Sequence, residues 1–145
     1  MGTTFQGFAV APRRDRLYPR TMNSAGLQEG AACVYDTGNG VKAPTGAAVK
    51  GFAGLLADVQ GSTGTISGTD ANMQRTGIGM GLLQATQTVV VGTRLVIAGT
   101  DGSLRPFNDG VDANCDIVGE SESQLTAGAQ NTAIAVNLDK FTSVP

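Results

Sequence analysis

Gly30-Ala31-Ala32-Cys33-Val34-Tyr35 and Gly92-Thr93-Arg94-Leu95-Val96-Ile97 stand 62 residues apart, and at the same spacing Asn39-Gly40-Val41-Lys42-Ala43-Pro44 falls on Asp101-Gly102-Ser103-Leu104-Arg105-Pro106. The superposition needs no gap and brings glycine, Asx-Gly and proline into coincidence. Each copy reads as a strand, a tight hairpin at Asx-Gly where positive φ is tolerated, a short strand, and a proline where a ladder stops. An apolar-Gly step follows in both, Phe52-Ala53-Gly54-Leu55 and Ile117-Val118-Gly119-Glu120, and aligning these requires three extra residues in the second copy. Two related strand-hairpin units that cover each other's apolar faces predict a small all-β barrel or sandwich, β-tulip-like in outline.

The composition agrees. Charged residues are 15% of the chain against a usual 25% or so, and 21 of its 145 residues are glycine. Threonine, valine and glycine favour strands and turns, and no window keeps apolar residues at helical spacing. One core is expected at this length, as a single all-β domain over 27–145. Between the copies, Gly77-Ile78-Gly79-Met80-Gly81-Leu82 alternates glycine with large apolar residues, a strand with one bare face open to close packing. Thr88-Val89-Val90-Val91 leads into the second unit and Thr132 to Leu138 closes it, while Gly61 to Arg75 reads as a long loop with one short strand at Thr65-Ile66-Ser67.

Residues 1–26 differ in kind. They hold Pro12 and Pro19 and few apolar residues after Ala11, so they are expected to form an extended N-terminal arm. Residues 1–20 carry Arg13, Arg14, Arg16 and Arg20 against Asp15, a charge of +3, whereas the remainder has six bases and eleven acids, a charge of −5. Phe5-Gln6-Gly7-Phe8-Ala9-Val10 could add a strand to a neighbouring sheet edge with Phe5 or Phe8 as anchor. Arginine suits carboxylate pairing at an interface. A nucleic-acid partner is disfavoured, since Tyr18 alone is available for stacking there and the body is acidic. The contact residues of the arm are therefore expected to be Phe5, Phe8, Arg13, Arg14, Arg16, Tyr18 and Arg20, against a protein target; a merely solvated arm is the alternative.

The chain contains no histidine, which removes the commonest general base and metal ligand. Gly-x-Ser-x-Gly and phosphate-loop motifs are absent, and Gly77-Ile78-Gly79-Met80-Gly81 lacks the spacing and βαβ context of a dinucleotide loop. Glu120 and Glu122 are spaced to share one strand face, as a carboxylate pair or a calcium site would require, but are read as a solvated or interface face, and Asp109, Asp112 and Asp116 do not fit calcium-loop spacing. Asp139-Lys140-Phe141 resembles a lipoyl attachment site but follows the closing strand, so Lys140 is read as a surface lysine. Neither catalytic residues nor a cofactor or metal is expected. Cys33 and Cys115, each beside apolar residues, are read as buried thiols, with a disulfide as the alternative. No apolar run would span a bilayer, the start lacks the order of a signal peptide, and Gln6 stands where a myristoylation motif wants Ser or Thr. No membrane partner and an intracellular origin are expected.

Gly30 to Pro44, Gly92 to Pro106, the apolar-Gly steps and the final Ala133 to Leu138 resemble the capsid decoration, or cement, proteins of tailed bacteriophages, over roughly residues 27–138. The resemblance implies a compact β fold, frequently a homotrimer, seated on the capsid exterior and clamping neighbouring subunits of the major capsid protein, with an N-terminal arm pairing with capsid strands. The protein would then be made in the host cytoplasm and reside in the virion. The arginine-rich stretch Arg13 to Arg20 has no counterpart in a fixed family motif. A tail part or head-fibre base, or a cellular β-type binding module, are the alternative functions.

Overall fold

A computed structural model describes residues 17–145 except 60 and 62. The chain is all-β, and the described residues form thirteen strands and a 3-10 turn at Leu138–Lys140. Strands β1 (Leu17–Met22), β2 (Ala32–Tyr35), β3 (Gly40–Lys42), β4 (Phe52–Leu56) and β5 (Asp70–Gln74) close a five-stranded barrel in the order β1-β3-β2-β4-β5. Strands β6 (Ile78–Leu83), β8 (Arg94–Ile97), β9 (Leu104–Pro106), β10 (Cys115–Ser121) and β12 (Thr132–Asn137) form a second barrel, since β10 pairs back to β12. The short strands β7 (Thr88–Val89) and β11 (Leu125–Thr126) pair with each other, and β13 (Thr142–Val144) adds to β10.

The two barrels are copies in topology as well as in sequence. In each, the first strand runs parallel to the third and antiparallel to the fifth, and the second pairs antiparallel with the third and fourth. The predicted three-residue insertion before the apolar-Gly step is present: Cys33 pairs with Gly54 and Val34 with Phe52, while Leu95 pairs with Gly119 and Val96 with Ile117. Both pairings skip one residue, Ala53 or Val118, so the same β-bulge recurs at the same place. At the first bulge Gly54 takes φ +142°, and a Cβ there would stand 2.8 Å from the Gln74 carbonyl oxygen.

The hairpins differ from the ungapped alignment. Tyr35 pairs with Val41 but its counterpart Ile97 pairs with Leu104, so the second hairpin is one residue longer. Positive φ falls at Gly102 in the second turn, as expected, but at Gly38 and not Gly40 in the first. A further correction concerns Gly61 to Arg75. Thr65-Ile66-Ser67 is not a strand, and Asp70–Gln74 is. Asp70-Ala71-Asn72-Met73-Gln74 has no β-branched residue, so local propensity gives no signal. Its strand is imposed by β1 on one side and β4 on the other, with Ala71 and Met73 buried.

The boundary expected at residue 26 also moves. Leu17–Met22 is a barrel strand, paired with β5 from Leu17 to Thr21. Pro19 is tolerated because β3 reaches only Thr21 and Met22, leaving β1 with one neighbour at the proline. Residues 1–16 lie outside the described residues.

The bulges sort the side chains. Met22, Cys33, Val41, Ala53, Leu56, Ala71 and Met73 fill the first barrel. Ala32, Val34, Phe52 and Leu55 point the other way and join the core of the second barrel, made by Leu83, Leu95, Leu104, Val118, Ile134 and Val136. One hydrophobic cluster therefore spans both barrels. The bare strand face is confirmed as buried: on β6 the glycines Gly79 and Gly81 face inward while Ile78, Met80 and Leu82 are exposed or half-buried. A Cβ on Gly81 would meet Leu104 and Val136, each at 3.0 Å, and Leu55 at 3.7 Å.

Main-chain bonds stitch the same seam. Ala32 N donates to the Gly102 carbonyl at 2.8 Å and Ala48 N to that of Ile97 at 2.8 Å. The buried Asp116 carboxylate accepts from the N–H groups of Gly51 and Phe52 at 2.9 and 3.0 Å and from the Ser143 hydroxyl at 2.6 Å. Cys33 and Cys115 are both buried and unbonded, in separate clusters. Among the described residues no helix is long and apolar enough to cross a membrane.

Candidate functional site

Alternation along β1 places Tyr18 and Arg20 on the same face as the buried Met22, but at the end of the barrel, where no described residue seals them. Tyr35 at the end of β2, Arg75 and Thr76 in the link from β5 to β6, and Phe141 after the 3-10 turn complete a cleft of about 400 Å³. Tyr18, Tyr35 and Phe141 are 42%, 43% and 37% exposed, so three aromatic rings converge without being sealed by the fold.

The arginines are held by rings and neutral acceptors. Arg20 donates from Nη1 to the Asn39 side-chain oxygen, and its guanidinium carbon lies 6.0 Å from the Tyr35 ring centre. Arg75 donates from Nη1 to the Tyr35 hydroxyl at 2.5 Å and sits 5.6 Å from the Tyr35 ring centre and 5.7 Å from that of Phe141. Phe141 in turn stacks on Phe52 at 6.1 Å, which ties the cleft wall to the seam between the barrels. The buried Nε of Arg75 has no acceptor. An orphaned buried donor costs about 1–3 kcal/mol, and more when charged, so this guanidinium is under-satisfied. Among the described residues the ion pairs are Lys42–Asp36 at 3.6 Å and Arg105–Asp112 at 2.8 Å; neither involves Arg20 or Arg75.

A second hollow, lined by Gln87, Arg105, Phe107, Asn108, Val111 and Asp112 among others, is electrostatically closed. Arg105 grips Asp112 through two bonds of 2.8 Å, and Asn108 N donates to the same carboxylate at 2.8 Å. The Arg105 bond holds the Asp112 carboxyl below the ordinary carboxylate range, against the opposing effect of burial. Burial pushes the Cys33 thiol up to about 12, and burial with the nearby Asp112 and Asp116 charges raises that of Cys115. Such thiols are poor nucleophiles and poor metal ligands. Among the described residues no three Asp, Glu or Cys side chains gather as a metal cluster would need. The first cleft offers donors and rings, and pairs no nucleophile with a base. Two guanidinium groups beside three aromatic rings are able to receive a planar or anionic group.

Of the expected contact residues, the structure brings together Tyr18 and Arg20; Phe5, Phe8, Arg13, Arg14 and Arg16 lie outside the described residues. Sequence reasoning missed Tyr35, Arg75 and Phe141. Pairing register, and not the 62-residue spacing, sets Tyr18 and Arg20 at the positions of Gly79 and Gly81, since Met73 and Ala71 pair with the first two as Val136 and Ile134 pair with the second.

No family model matches the chain, and no curated protein matches it. Among solved structures it is similar to the N base of head fiber gp8.5 in bacteriophage phi29, with a TM-score of 0.48 and 13% identity over 89% of this chain and 96% of that one. A likeness of that degree says nothing about function.

Proposed function

We propose that this protein is a structural component of a phage particle that binds the outer surface of the assembled capsid and stabilises it by clamping neighbouring major capsid subunits, as a homotrimer. The observation that carries the reading is the open cleft itself, where Tyr18, Tyr35 and Phe141 stand unsealed beside Arg20 and Arg75, and in the sequence the basic residues Arg13, Arg14 and Arg16 come just before Tyr18. The resemblance of the duplicated strand-hairpin units to capsid decoration proteins supports it. So does the low charge of the chain, which suits extensive subunit contact.

The function is mechanical. A protein that binds only the closed shell stabilises that shell by mass action and needs no reaction. Two interlocked barrels with one shared core give the rigid body such a clamp requires. The test is the copy number of this chain relative to the major capsid protein in purified particles, by quantitative mass spectrometry. A count on the order of hundreds is expected for a decoration protein on a closed symmetric shell. A few copies would reassign the chain to a tail part or head-fibre base, and absence would reassign it to a cellular binding module.

A further inference from the structure

We infer that the cleft formed by Tyr18, Arg20, Tyr35, Arg75 and Phe141 is a docking site for an acidic segment of a partner protein, with an Asp or Glu carboxylate seated between the two guanidinium groups. The inference rests on the proposed role as a protein-binding component and names the chemistry of the partner surface.

The duplication isolates what is special here. Pairing register makes Gly79, Gly81 and Ile97 of the second barrel the counterparts of Tyr18, Arg20 and Tyr35. Arg75, one residue past the end of β5, corresponds to Leu138, one past the end of β12. All four second-barrel residues are buried, and the first barrel covers that rim with Leu55 beside Gly81 and the Gln74 side chain beside Gly79. Among the described residues no element plays that part in the first barrel. The same rim is open, and three of its residues are aromatic or cationic where small or aliphatic ones serve internal packing. Fourth is Arg75 in place of Leu138.

The donors are set for a carboxylate. The described hydrogen bonds occupy only Nη1 of Arg75, on Tyr35, and Nη1 of Arg20, on Asn39, and no described carboxylate meets either guanidinium. Tyr35 and Phe141 both hold the Arg75 guanidinium, at 5.6 and 5.7 Å from their ring centres, so little side-chain freedom is lost when an anion arrives. The flanking rings favour a peptide, whose aliphatic stems can lie against them, over a strongly hydrated inorganic anion. Outside its first 20 residues the chain is itself acidic, which discourages long polyanions.

The experiment titrates isotope-labelled full-length protein with an octaglutamate peptide, capped at both ends, and follows amide and arginine Nε resonances. Saturable shifts confined to Tyr18, Arg20, Tyr35, Arg75 and Thr76 are expected within about 10 mM peptide, the range of a weak single site. Octaglutamine should give none, and Arg75→Gln should weaken binding by about tenfold or more. Arg75→Lys, which keeps charge but not the planar fork, should restore only part of it. Absence of localised shifts, or equal shifts in Arg75→Gln with an intact native spectrum, overturns the inference. Equal binding of a single-stranded oligonucleotide or inorganic phosphate at the same residues overturns it in favour of a general anion site. Particle copy number is independent of this readout, so the two readings fail separately.

Discussion

Leu55 of the first barrel ends 3.7 Å from the point where a Cβ on Gly81 of the second would stand. The missing side chain on one strand makes the socket for a side chain on another, and the shared cluster makes the barrels one cooperative unit. Leu55→Ala should lose about 2–5 kcal/mol, the range for a buried leucine whose site cannot collapse. Gly81→Ala should lose about 1–3 kcal/mol by overpacking against Leu104 and Val136. Urea unfolding followed by two probes, one in each barrel, should give a single coincident transition for the wild type. Two separated transitions would show that the seam does not couple the barrels.

The recurring bulge makes a sharper steric demand. A Cβ on Gly119 would fall 2.3 Å from the Asn137 carbonyl oxygen, a backbone atom that cannot swing aside. Gly119→Ala should therefore cost about 3 kcal/mol or more through displacement of β12. Gly46→Ala, where a Cβ meets nothing within 4 Å, serves as control and should change stability by less than about 0.5 kcal/mol.

These contacts mark how much of the fold was legible. The 62-residue repeat, the apolar-Gly steps with their three-residue insertion, and the bare β6 face were readable because turns and glycines obey local rules. Strand β5 was not, because Ala71 and Met73 become strand residues only when β1 and β4 flank them. The single extra residue in the second hairpin was hidden because Pro44 and Pro106 coincide in sequence, although Ala43 and Pro106 are the register counterparts. For the cleft, Tyr18 and Arg20 were visible through the charge of their segment. Arg75 and Phe141 were not, since each is isolated in sequence and is brought to β1 only by barrel closure and the C-terminal turn.

Asp116 joins Gly51, Phe52 and Ser143 across the seam. Asp116→Ala would leave two backbone N–H groups without an acceptor and should cost about 2–5 kcal/mol, whereas Ser143→Ala removes one bond and should cost about 1–2 kcal/mol. Chemical denaturation of the two variants should rank them in that order. An equal loss in both would mean that the backbone donors find water, and would remove the carboxylate from its structural role.

The two thiols should be silent in the folded protein. Cys33 has its thiol pushed up to about 12 by burial and that of Cys115 is raised as well, so neither forms much thiolate near neutral pH. A thiol reagent should label neither on the timescale of minutes under native conditions, and both in denaturant. Rapid native labelling of Cys115 would show that the cover formed by Ala48, Phe107 and Val144 opens.

Acid sensitivity should trace in part to Asp112. Its folded carboxyl lies below the ordinary range because Arg105 bonds it. The ionised pair therefore contributes its full stability above the unfolded aspartate value near 4 and loses it as pH falls through the lower folded value. The side chains of Arg105 and Asp112 are 23% and 4% exposed, so breaking the pair should be felt more than at an open surface. Asp112→Asn should destabilise the protein by about 1–3 kcal/mol at pH 7 and by less at pH 2, where the wild-type carboxyl is increasingly neutral. Unfolding measured across that interval should show the wild-type and variant curves converging as pH falls. Parallel curves would mean that Asp112 serves only as a neutral acceptor for Asn108 N, and that the acid-sensitive group lies elsewhere.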